Sequence, residues 1–123
     1  MSQAINGEKN PVPEALRSRY IDIESMPWIQ MSEKSFRKVL FDDPVSGRHT
    51  WLTRLLPGAS IPFHEHPDIE QTYVIEGRLV DDEGECTAGN FVWRPGGSRH
   101  TAHAPDGCVF LAFFGKASRM LPK

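Results

Sequence analysis

Apolar residues along this chain come in short runs, each closed by a cluster of turn residues. Residues 36–41 form the first such run, and residues 42–47 (Asp-Asp-Pro-Val-Ser-Gly) read as a turn. Residues 49–56, with Trp51, Leu55 and Leu56, predict its hairpin partner, closed by Pro57 and Gly58. Residues 69–75 predict a further strand ended by Glu76 and Gly77; residues 78–80 then run into an acidic turn over 81–85. Residues 86–88 are a short extended piece before Gly89, and residues 91–93 predict a strand stopped by Pro95, Gly96 and Gly97. Residues 108–114 are almost continuously apolar, as in a buried closing strand. Nothing between these runs is long enough for the helix of a βαβ crossover. The pattern predicts an all-β sandwich, barrel or jelly roll. Residues 1–27 read as an N-terminal arm with a helical turn over 13–19, opened by Pro13. Met26, Pro27 and Trp28 anchor a packed domain over residues 28–115, and residues 116–123 read as a surface tail.

Composition sharpens this picture. At 123 residues and 13.9 kDa the chain holds one ordinary domain. Gly and Pro number 10 each, which weighs against a helical bundle. A net charge of -2 and a pI near 6.2 argue against nucleic acid as a partner. No apolar run approaches the roughly 20 residues that span a bilayer, so no membrane partner is expected. The first ten residues lack a basic start followed by an apolar stretch, and the two cysteines, Cys86 and Cys108, are too few for a disulfide scaffold. The expected location is cytoplasmic. Small size favours a homodimer, because so short a chain buries a modest share of its surface alone.

The histidines carry the candidate chemistry. On an extended chain residues i and i+2 share a face, so His64 and His66 can converge on one point. Glu70 shares the parity of His66. The turn at Pro95, Gly96 and Gly97 returns the chain so that His100 faces the same point from a neighbouring strand. Three histidines and a glutamate suit a borderline first-row divalent ion: Fe(II), Mn(II), Ni(II), Cu(II) or Zn(II).

Residues 58–77 resemble the first signature motif of the cupin superfamily, G(X)5HXH(X)3,4E(X)6G, throughout. Residues 89–100 resemble the second, G(X)5PXG(X)2H(X)3N, up to its histidine, while Ala104 stands where the final Asn would be. Trp28 and residues 41–48, 52–58 and 70–77 are similar to the ChrR-type cupin group. That group includes the sensor domain of a zinc-dependent anti-sigma factor and small dioxygenases that cleave a carbon–carbon bond in dicarbonyl or hydroxyacetophenone substrates. The resemblance implies a single double-stranded β-helix, the jelly-roll barrel of cupins, with a metal held inside by His64, His66, Glu70 and His100. It implies a metal-dependent dioxygenase of a small oxygen-chelating substrate. The alternatives are a metal-binding sensor or ligand-binding module, or a redox-neutral lyase or isomerase. The acetylacetone-cleaving members use three histidines without the glutamate, so Glu70 sets this chain nearer the four-ligand members. Only 27 residues precede Trp28, with no Cys or His among them, which weighs against an intact anti-sigma factor.

Further roles are expected of other residues. Glu70 or His103 could move protons, and Tyr73 could donate a hydrogen bond to a metal-bound species. Arg54, by parity with Leu52 and Leu56, could point inward to a substrate. Phe63, Tyr73, Phe91 and Trp93 are candidates to line a pocket. Arg78, Arg94 and Arg99 read as a solvated exterior, His49 as a strand residue, Cys108 as a buried small hydrophobe and Cys86 as a turn-edge residue. The acidic run over 81–85 reads as a solvated hairpin tip.

Overall fold

A computed structural model describes residues 11–122. The first ten residues of the expected arm, and Lys123, lie outside the described residues. The fold is all-β, with 54% of the described residues in strands. Ten strands follow in order: β1 Ile29–Ser32, β2 Ser35–Asp42, β3 His49–Leu55, β4 Ala59–His66, β5 Glu70–Val80, β6 Glu85–Thr87, β7 Phe91–Arg94, β8 Ser98–Ala104, β9 Cys108–Phe114 and β10 Arg119–Met120. Hydrogen-bonded neighbours run β1-β2-β3-β9-β5-β8-β4-β10, with β6 and β7 both on β5. The sheet curls on itself into a half-barrel, the jelly roll that the sequence pattern predicts.

The long strand β5 turns the sheet into a barrel. Its first part, from Glu70, pairs with β9 and β7, and its last part, to Val80, pairs with β6 and β8. The sequence pattern breaks this strand at Gly77, but the chain runs through. Gly77 takes φ +72°, and a Cβ there would lie 2.0 Å from the carbonyl oxygen of Gly107, so only glycine fits this crossing of strands. The inner face carries Leu55, Val74, Leu79, Ala102, Cys108, Phe110 and Ala112 as the core. Cys86 belongs to that core too, paired with Leu79 on the inner face, and is not a turn-edge residue. Both cysteines are free and buried; burial, with Cys86 adding, pushes the Cys108 thiol up to about 12.

The arm and the tail are more ordered than the pattern suggests. Single turns of 3-10 helix form at Glu14–Leu16 and Ile23–Ser25. The Lys38 ammonium donates to the carbonyl oxygen of Ile23 at 2.7 Å and lies 4.7 Å from the Trp28 ring centre, so the end of the arm covers the outside of β2. At the other end β10 pairs with β4, where Arg119 forms an ion pair with Glu65.

Candidate metal centre

Strand β4 positions the first two histidines, and it does so through a bulge. Against β8 the register runs Ala59–Ala104 and Ile61–Ala102, then His64–His100 and His66–Ser98, with one extra residue on β4 between Ile61 and His64. Plain alternation from the buried Ala59 would send Phe63 and Glu65 inward. The extra residue switches the parity and aims His64 and His66 into the barrel instead, a common use of bulges beside sites. Glu65 turns outward to Arg119 and Arg99, which hold its carboxyl below the usual range.

Three imidazoles converge. His64 Nε2 lies 3.2 Å from His66 Nε2, which lies 3.1 Å from His100 Nε2. Each Nδ1 is engaged on the far side of its ring. His64 Nδ1 meets the carbonyl oxygen of Pro62 at 2.7 Å, His100 Nδ1 meets Asp81 Oδ2 at 2.9 Å, and His66 Nδ1 meets Ser118 Oγ at 3.2 Å. Protons on those outer nitrogens leave three Nε2 lone pairs facing one another, an arrangement that a cation completes. Metal–nitrogen bonds of about 2.1 Å put neighbouring donors about 3.0 Å apart at a right angle and about 3.4 Å apart at a tetrahedral one. The observed spacings fall between, so these residues fit a divalent ion. Burial pushes His66 down to about 3 and His100 to about 4, and lowers His64 as well, so all three are neutral and competent ligands at neutral pH.

Glu70 lies at the edge of this set. Its Oε1 is 3.0 Å from His66 Nε2, yet the donor atoms that all lie within 4.8 Å of one another belong to the three histidines alone. Burial raises the Glu70 carboxyl to about 7, against the opposing pull of the Arg94 guanidinium. Arg94 is not part of a solvated exterior. It is buried, with Nε 3.5 Å from Glu70 Oε1 and Nη1 2.6 Å from Asp81 Oδ2. Asp81 likewise is no solvated tip: its side chain is 4% exposed and bridges Arg94 to His100, while its other oxygen accepts from the amides of Glu83 and Gly84. The signal for Asp81 was present, because it continues the inward parity of Leu79. The signal for Arg94 was its place opposite Glu70 on a paired strand, which needs the register.

Other expected residues fall elsewhere. Arg54 pairs with Val109 on the outer face and lies 5.3 Å from the Trp28 ring, because Leu52, its parity partner, is buried under the arm side and not in the core. Tyr73 is exposed on the outside of β5, on the parity opposite to Thr72 and Val74. His103 is exposed on β8, on the face opposite His100. None of these three is brought to the histidines. His49 opens β3, buried and stacked 4.4 Å from Phe114, whose ring lies 6.2 Å from His66. Phe63 is half-buried at the bulge, while Phe91 and Trp93 line a cleft of about 500 Å³ whose walls include Asp81 and Arg94. Arg78 sits in surface ion pairs with Glu85 and Asp106.

Residues 16–118 match the ChrR cupin-like domain family. The chain belongs to that family. This cupin is similar in structure to an RmlC-like cupin from Ralstonia eutropha JMP134, at 21% identity over 89% of this chain and 76% of that one, with a TM-score of 0.82. It is similar to an acetylacetone dioxygenase from Acinetobacter johnsonii at 16% identity, covering 84% of this chain and 77% of that one, with a TM-score of 0.73. It is also similar to the anti-sigma factor ChrR of Rhodobacter sphaeroides, solved with SigE, at 22% identity over 75% of this chain and 51% of that one, with a TM-score of 0.66. At these identities the likeness is one of fold. No curated protein matches the chain. Among the described residues no helix is long and apolar enough to cross a membrane.

Proposed function

We propose that this cupin is a metal-dependent dioxygenase of small oxygen-chelating substrates, dicarbonyls or hydroxyketones, with Fe(II) at His64, His66 and His100. The observation that carries the reading is the facing set of three Nε2 donors, with Glu70 at its edge, 3.0 Å from one of them. His64, His66 and His100 would hold that ion through their Nε2 atoms. Iron held there would polarise the substrate oxygens and conduct electrons.

The chain's own residues do the remaining work. Glu70, steadied by Arg94, is the group placed to take a proton from the carbon between two carbonyls, which leaves an enolate. Asp81 keeps the His100 proton on Nδ1 and so keeps Nε2 free. His49, Trp51 and Phe114 pack as an aromatic wall beside His66 that excludes water. Both oxygen atoms end in the two cleavage fragments, so no external reductant is consumed.

The test is oxygen uptake by the iron-loaded protein across a panel of diketones and hydroxyacetophenones. Uptake matched by two fragments per molecule cleaved supports the reading; bound iron with no uptake on any of them overturns it. A second reading rests on the family itself, whose namesake is an anti-sigma factor: a stand-alone metal-binding sensor. Tight zinc, no turnover and a regulatory partner retained in pull-downs would favour it. The assembly is read as a homodimer acting in the cytoplasm.

A further inference from the structure

The outer face of β7, β5 and β9 carries aromatic side chains that the described residues leave exposed. Register sets two rows across it: Trp93, Gln71, Phe113 and Thr50 in one, Phe91, Tyr73, Leu111 and Leu52 in the next. Across these four strands neither row holds a charged residue, in a chain of which 24% is charged. On β2 the second row ends at Lys38, opposite Leu52, and one row further on Arg54 and Glu76 flank Val109. The described part of the arm lies at the β2 and β3 end of these rows, over Lys38 and Arg54, where Leu52 is buried, and leaves the β7, β5 and β9 part exposed.

We propose that this face is the seat of a second copy of the same chain, across a two-fold axis. The proposal rests on the homodimer reading above and adds its surface. Phe91, Trp93, Tyr73, Phe113 and Ile75 are 52%, 58%, 43%, 41% and 43% exposed. Side chains of this size exposed to that degree leave about 500 Å² of apolar surface, at the upper end for a lone monomer. A standard interface buries about 800 Å² per partner, about 65% of it apolar in homodimers, or about 520 Å². The patch therefore supplies the apolar core that a stable dimer needs. An uncharged face can also meet its own copy without opposing like charges, which a two-fold contact otherwise forces. Phe91 and Trp93 line the cleft over Asp81 and Arg94 as well, so the seated partner would close one side of it.

The test is sedimentation of the full chain between about 1 and 100 µM, a range that brackets typical dimer affinities. The wild type is expected at twice the 13.9 kDa chain mass. Phe113→Glu and, separately, Tyr73→Glu bury a like charge at the axis and should weaken the dimer by about 100-fold or more while circular dichroism stays native. Tyr20→Glu, on the arm, should leave it intact. A wild-type monomer throughout, whether the face is bare or covered by the chain's own first residues, overturns both the dimer and its surface. A dimer untouched by Phe113→Glu and Tyr73→Glu overturns the surface and leaves the homodimer standing.

Discussion

Replacing Asp81 by asparagine separates the two readings of the acidic run most cleanly. As a solvated tip the change would be silent. In the structure Asp81 accepts from Arg94 at 2.6 Å and from His100 at 2.9 Å, with its own side chain 4% exposed. An asparagine has nearly the same shape but a single acceptor oxygen, so its amide nitrogen must face either the backbone amides of Glu83 and Gly84 or, turned over, both Arg94 and His100; in the second orientation the centre itself is disturbed. There His100 would lose the partner that keeps its Nε2 lone pair aimed at the other histidines, and Arg94 would keep only Glu70, at 3.5 Å. Removing such a carboxylate from behind a metal-ligating histidine costs about 10–100-fold in metal affinity, which is about 1.4–2.7 kcal/mol. Competition titration of Zn(II) or Co(II) against a chromophoric chelator reads the constant directly. Asp82→Asn serves as the neighbouring control. An Asp81→Asn affinity within about twofold of wild type would refute the idea that this carboxylate organises the centre.

Other expectations follow from the same geometry. The metal-free protein should lose stability as pH falls below 6.5: unfolded histidines bind protons there, while burial holds folded His66 at about 3 and His100 at about 4. Glu70, raised to about 7, acts in the opposite sense between 4.5 and 7, so the two histidines outweigh it; urea midpoints at pH 5 and 7.5 in chelator check the sign, and equal midpoints would contradict it. Gly77→Ala should destabilise the fold by about 2–5 kcal/mol, from positive φ together with the 2.0 Å approach to Gly107, as read from denaturant melts. Adding metal at about 1,000 times its dissociation constant should stabilise the wild type by about 4 kcal/mol, and that gain should vanish in His66→Ala; a thermal shift preserved in the variant would show binding elsewhere.

Much of the fold was legible because turn residues punctuate the chain. The strands around Asp43 and Gly47, the strand before Pro95 and the closing strand Cys108–Phe114 all lie where the apolar runs end. The histidine set was legible from the spacing of His64, His66 and His100 together with their bracketing glycines. What simple parity could not supply was the register. Phe63 and not His64 shares parity with Ala59, and only the bulge on β4 reverses that. Arg54 reads as inward because Leu52 is apolar and buried, yet Leu52 is buried from outside. Asp81 and Arg94 read as surface because charge usually is; their pairing with His100 and Glu70 depends on strands brought together by the barrel. Ser118 joins His66 from a segment whose composition carries no signal at all.

Metal content tests the central claim most directly. Protein purified without chelator should carry about one divalent transition ion per chain, and a His64→Ala, His100→Ala double variant that keeps its circular dichroism spectrum should carry almost none. Equal metal content in the two proteins, or none in either after incubation with Fe(II), Zn(II), Mn(II) and Ni(II), would contradict the account.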